Sequence, residues 1–178
     1  MTSLDKDLQK NKNNIEDFFN ISKRVRAYLP NVLSESVKKN GYIIFVSDVA
    51  GSKRYLRPIN ESLYIHDDVL FEKAYNMFLQ TVSKIKSKKN DFEIYEKNNI
   101  NSFLYTIQQS IGAGLDLMVD PNSARKHVGN RFEELIRVVF TLIGISNKRI
   151  VLRIPYETDE GEKIYKCEND LVLSPYDN

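Results

Sequence analysis

Residues 123–144, SARKHVGNRFEELIRVVFTLIG, constrain the fold more than any other stretch of this chain. Val128, Phe132, Leu135, Ile136, Val139, Phe140 and Ile143 recur mostly at intervals of three and four. That spacing is one stripe of a 3.6-residue helix, and it sets where the core must lie. At about 100° per residue, Glu134 is expected to point away from the stripe into solvent. Glu133 falls at the stripe's edge, beside Gly129, Ile136 and Phe140, with Lys126, Asn130 and Arg137 on the same flank. A carboxylate at a core boundary is partly desolvated and can be aimed into a cleft. Asp120-Pro121-Asn122-Ser123 supplies cap chemistry, and Gly144 the stop.

The rest of the chain is read around this helix. At 178 residues, one compact domain, or one domain with an arm, can bury a real core. A charged fraction of 28% beside 42% hydrophobic residues excludes a disordered chain. The single Cys167 excludes an intramolecular disulfide framework and a cysteine zinc knuckle. The polar start, MTSLDKDLQKNKNN, is neither a signal peptide nor a membrane span, so a cytoplasmic protein with no membrane partner is expected. Charge is uneven: residues 1–89 hold 16 Lys/Arg against 10 Asp/Glu, and residues 90–178 hold 10 against 14. A basic front half on an acidic back half suits a polyanion-binding region joined to a metal-binding core, and also suits chance variation in a lysine-rich chain.

Helical spacing predicts a helix over 4–29, with the asparagines at 11–14 able to interrupt it. Pro30 ends it or opens a short helix over 31–39. Asn40-Gly41 predicts a turn, and YIIFVSDV (42–49) a strand. Residues 50–68 read as a loop in which Lys53, Arg54 and Arg57 alternate with Tyr55 and Tyr64, a pattern able to follow a nucleic-acid backbone. Helices are expected over 69–86 and 99–119, with a short extended piece at 92–95. Lys84, Lys86, Lys88 and Lys89 complement a helix dipole without any ligand. Gly112 and Gly114 mark a kink or close packing. After the central helix comes a hairpin: 148–158, a turn at 159–161, then 163–173. Alternation on the return strand sets Tyr165, Cys167, Leu171 and Leu173 on one face, with Cys167 buried, and Lys166, Glu168 and Asp170 on the other.

A hard divalent cation wants oxygen ligands, commonly one or two carboxylates with waters and a phosphate. Glu133 and Asp170 fit that chemistry. Lys126, Asn130 and Arg131, with Arg125 and His127, cluster at the front of the helix, where helix N-terminal donors suit phosphate. His127 reads more readily as a capping or surface residue than as a base. His66, in YIHDD, lacks a second histidine at ligand spacing, and Asp67-Asp68 is good N-cap chemistry.

A helix with K-x-x-G-x-x-F-E, then a strand, a turn and a strand ending E-N-D-x-V-L, resembles the PD-(D/E)xK nuclease superfamily, and type II restriction endonucleases most of all. The match covers roughly residues 123–174. The resemblance implies an α/β (α+β) fold: a mainly helical region at 1–119 for DNA binding or dimerisation, and a partial nuclease core at 120–178 made of one central helix and a hairpin. It implies a restriction-modification hydrolase, cleaving double-stranded DNA with Mg2+, as a homodimer. Glu133 and Asp170 would be its catalytic and metal-binding acids, and Arg125, Lys126, Asn130, Arg131, Lys53, Arg54 and Arg57 its DNA contacts. The family's further acidic-x-lysine motif does not follow Asp170 in LVLSPYDN. The chain is therefore expected to be an incomplete or N-terminal portion, or to borrow the lysine from a partner, and not to cut DNA unaided. The competing expectation is a non-catalytic helical module that binds DNA or protein.

Overall fold

The structure, a computed structural model, describes residues 3–49, 51–87, 94–118 and 120–173. The asparagine patch does break the first helix. It leaves α1 (Ser3–Gln9) and α2 (Ile15–Tyr28), and Asn14 caps α2 by accepting from the Asp17 amide at 2.8 Å. A single 3-10 turn (Leu29–Asn31) follows. The helix expected over 31–39 is instead a strand, β1 (Leu33–Lys39). Asn40 and Gly41 both take positive φ (53° and 78°), the geometry of a tight hairpin turn, and so fold β1 back onto β2 (Tyr42–Val49) with Lys39 opposite Tyr42. Leu33 and Val37, four apart, imitate a helix stripe, but pairing across that turn decides the conformation.

The stretch expected to be irregular contributes β3 (Ser52–Tyr55) and β4 (Ile59–Asn60), both antiparallel to β2. Then come α3 (Asp68–Lys86) and α4 (Ile94–Met118). Residues 94 and 95, expected to be extended, belong to α4, while 88–93 and 119 lie outside the described residues. Asp67 caps α3 through the Leu70 amide at 2.8 Å, the role expected of it. The central helix is α5 (Pro121–Leu142), with Asp120 accepting from the amides of Asn122 and Ser123, both at 3.1 Å. The hairpin is β5 (Asn147–Thr158) and β6 (Gly161–Leu173). The described residues form an α+β fold with two antiparallel sheets. No helix among the described residues is long and apolar enough to cross a membrane.

The core gathers α1 to α5. Phe19 stacks on Tyr75 at 4.1 Å, and Phe71 and Phe78 tilt against the fully buried Phe103. Arg26 ties α2 to the start of α3: it pairs with Asp68 at 2.8 Å while its guanidinium lies over Phe71 at 4.7 Å. Leu135 and Val138 of α5 join this same cluster, so the core runs across residue 120. The buried line of α5 is Ala124, Arg131, Glu134, Leu135 and Val138, rotated from the expected stripe, and Phe132 is 42% exposed.

Candidate functional site

Two connections place the hairpin against α5. Gly144, at φ 82°, reverses the chain, and the Ile145 amide donates back to the Phe140 carbonyl at 2.9 Å. Asn147 Nδ2 then donates to Thr141 Oγ1 at 3.1 Å. The base of the hairpin is thus fixed to the last turns of α5, while its far part carries half-exposed apolar side chains such as Leu152 and Tyr165.

The register carries a bulge where Asp170 lies. Ile150 faces Asn169 and Lys148 faces Val172, so Asp170 and Leu171 together oppose Arg149. A bulge of this kind re-aims side chains locally. It also breaks the expected alternation. Leu173 pairs with Asn147 and Tyr165 with Ile154, positions of opposite parity on β5, so Leu173 and Tyr165 lie on opposite faces. Cys167, expected to be buried, is only partly covered, and Leu152 and Tyr165 on the same face of the sheet are exposed.

Arg149 is the centre of the acidic cluster. Its Nη2 donates to Glu168 Oε2 at 2.6 Å, and its Nε lies 3.8 Å from Asp170 Oδ1. The hydrogen bond to Glu168, that carboxylate's charge, and then the charges of Asp170 and Glu133 hold the Arg149 guanidinium above its ordinary range. Glu168 and Asp170, the latter on the β6 bulge, therefore share one cation, while Glu133 is half-buried on α5. Neither Arg149 nor Glu168 stood out in the sequence. The signal was present in the hairpin count, since pairing outward from Asp159-Glu160 brings Arg149 opposite the E-N-D run.

Among the described residues, no group of three or more Asp, Glu, His or Cys side chains is arranged to hold a metal ion. Of the two acids that chemistry would assign to magnesium, Asp170 lies beside a guanidinium instead, and in this arrangement the pair does not fit the ion.

Glu134 is not in solvent. It is buried and pairs with Arg131 at 3.0 Å, the two side chains being 8% and 5% exposed. Its Oε2 also accepts from the Lys12 amide at 3.1 Å. Arg131 donates to the Lys10 carbonyl and to Asn11 Oδ1, the latter at 2.9 Å. Burial excludes Arg131 from the exposed DNA contact expected of it: the guanidinium instead clamps the α1–α2 connection onto α5. The basic loop is similarly engaged. Lys53 pairs with Glu35 at 2.6 Å, and Arg57 grips Asp116 through two bonds of 2.8 and 2.9 Å. Arg54 donates to the carbonyls of Asp116 and Leu117, complementing the C-terminal dipole of α4. Tyr64 is buried, with its hydroxyl 3.0 Å from Ser110 Oγ. Arg125, Lys126 and Asn130 remain exposed along the first half of α5. Among the described residues, His127 Nδ1 is buried without a hydrogen-bond partner and His66 belongs to no metal-binding cluster.

No family model matches the chain, and no curated protein matches it. Among solved structures the fold is similar to that of a restriction endonuclease. That structure is the Type IIP restriction endonuclease Kpn2I, matched with a TM-score of 0.58 at 18% identity. The match covers 74% of this chain and 44% of that one, so the chain spans less than half the length of the enzyme it resembles in fold.

Proposed function

We propose that this chain is the DNA-engaging part of a type II restriction endonuclease, a nuclease acting on double-stranded DNA at a specific sequence. The observation that carries the reading is that the hairpin bearing Asp170 on its bulge is anchored to the last turns of α5, the helix that bears Glu133. A restriction-endonuclease-like fold supports it. In this reading Glu133 and Asp170 are the site's acids, and the functional unit is a homodimer. Arg125, Lys126 and Asn130, beside Glu133 on α5, meet the phosphate backbone. Phosphate contacts fix register and orientation, while base contacts read sequence.

A second reading, a non-catalytic DNA-binding module, is favoured by the absence of a metal-ready cluster among the described residues. Fluorescence anisotropy with labelled duplex tests both, and salt-sensitive binding is expected. No duplex binding at low salt rejects both. Plasmid nicking in Mg2+ or Mn2+ then separates them. Scission lost in Asp170→Asn and Glu133→Gln supports the nuclease, and binding without scission supports the module.

A further inference from the structure

Half-exposed apolar side chains gather on the closing hairpin. Pairing and alternation set Ile150, Leu152, Ile154 and Tyr156 of β5 on one face with Tyr165 and Cys167 of β6. Leu152 and Ile154 are each 48% exposed, Tyr156 46% and Tyr165 59%. The other face carries Arg149, Arg153, Lys166 and Glu168 beside Val151 and Ile164. One apolar face and one largely charged face is the pattern of an antiparallel sheet whose apolar side is covered. A two-stranded sheet is marginal in water until it packs on something. We propose that a second copy of this chain covers it, the two hairpins packing face to face and antiparallel about a twofold axis, tip over base.

Area, self-complementarity and charge favour a second copy in this orientation. At these exposures the six side chains leave on the order of 500 Å² of apolar surface in water, near the top of the range for the largest patch on a monomer. Two such faces together remove on the order of 1,000 Å², the lower bound of a specific interface. With the axis at the level of Arg153, Ile150 meets the partner's Tyr156, Leu152 the partner's Ile154, and Tyr165 the partner's Cys167. Apolar therefore meets apolar at each of these levels. The tip holds Glu157, Asp159, Glu160 and Glu162 against Lys163 alone, whereas Lys148 closes the apolar face at the base. Among the described residues neither Asp159 nor Lys148 has an ion-pair partner. Tip over base brings each copy's Asp159 to the other's Lys148, while tip over tip would set the acids against one another.

The inference gives the homodimer a contact face but stands apart from the nuclease reading, because association is measured without DNA or metal ion. Sedimentation velocity of the full chain at about 1–300 µM is expected to show a monomer–dimer equilibrium with a dissociation constant in the micromolar range, the scale of a small interface. A wild-type chain that stays monomeric throughout overturns the proposal, whatever any variant does. Leu152→Lys, on the apolar face, is expected to weaken the dimer at least about tenfold, and Val151→Lys, on the opposite face, to leave it near wild type. Equal effects of the two overturn this face as the interface. Lys148→Asp and Asp159→Lys are each expected to weaken association, and the two combined in one chain to restore it. A dimer that the combination does not restore overturns the tip-over-base orientation.

Discussion

Arg131 Nη1 lies 3.0 Å from Glu134 Oε2, and this buried pair holds the α1–α2 connection onto the central helix. Burial pushes the Arg131 guanidinium down, and the Glu134 charge opposes that push. Removing one partner of such a pair strands the other. Glu134→Ala is expected to cost about 3–5 kcal/mol. Glu133→Ala, on the more open side of α5, is expected to stay within about 0.5 kcal/mol of wild type. Urea denaturation of the two variants checks the contrast, and equal losses would contradict this assignment of buried and open glutamates.

The contrast also marks what the sequence made legible. The existence, type and caps of α5, the Asn40-Gly41 turn, β2 and the closing hairpin follow from spacing and turn chemistry between neighbours. The phase of α5 does not. An apolar count ranks Arg131 and Glu134 as surface, because each is charged. What buries them is a loop about 120 residues earlier, whose carbonyls and amide bond to the pair. β1 was hidden for the same reason, since its conformation is set by a partner strand. The candidate site was less legible. The expected phase that singled out Glu133 is rotated in the fold, Asp170 rested on the E-N-D run alone, Arg149 enters only through pairing register, and the bulge in that register has no local sequence signature.

Gly112 lies where the Arg57 guanidinium crosses α4, and a Cβ there would collide with its Nη1, Cζ and Nε. Alanine raises helix propensity by up to about 1 kcal/mol. Displacing Arg57 from Asp116 forfeits charge-assisted bonds of about 1.5–3 kcal/mol. Gly112→Ala is therefore expected to destabilise by about 1 kcal/mol. In an Arg57→Met background, with the guanidinium gone, the same change is expected to stabilise. A double-mutant cycle read from denaturation midpoints decides. No change of sign would mean that Arg57 is not what keeps position 112 glycine.

Lys12 carries the clearest pH signature. Its ammonium donates to the carbonyls of Asp7 and Lys10. Burial first, then the nearby Arg131 charge, push it from 10.5 down to about 8. Unfolded, the lysine keeps its ordinary value. Between these two values the unfolded chain binds more protons than the folded one, so stability rises with pH across that window. Below the lower value Lys12 is charged in both states, and the burial penalty is present in full. Lys12→Met lacks the rise. Urea midpoints of both proteins at about pH 7.5 and about pH 10 isolate the effect. Parallel changes in the two would rule out Lys12 as its source.

The basic residues divide by availability, and DNA binding should divide with them. Arg125 and Lys126 are exposed on α5, while Arg57 and Arg131 are engaged with Asp116 and Glu134. Each phosphate contact contributes close to one unit of slope in the logarithm of affinity against that of salt. Arg125→Gln/Lys126→Gln is thus expected to weaken duplex binding several-fold at low salt and to flatten that slope by about 1–2, with the melting temperature unchanged. Arg57→Met is expected to lower the melting temperature and leave the slope alone, because its partner is Asp116 on α4. Anisotropy titrations at several salt concentrations, beside thermal melts, separate the two. If Arg57→Met flattened the slope while Arg125→Gln/Lys126→Gln left it untouched, DNA would be meeting the strand-rich face, and α5 would be only the scaffold of the acids.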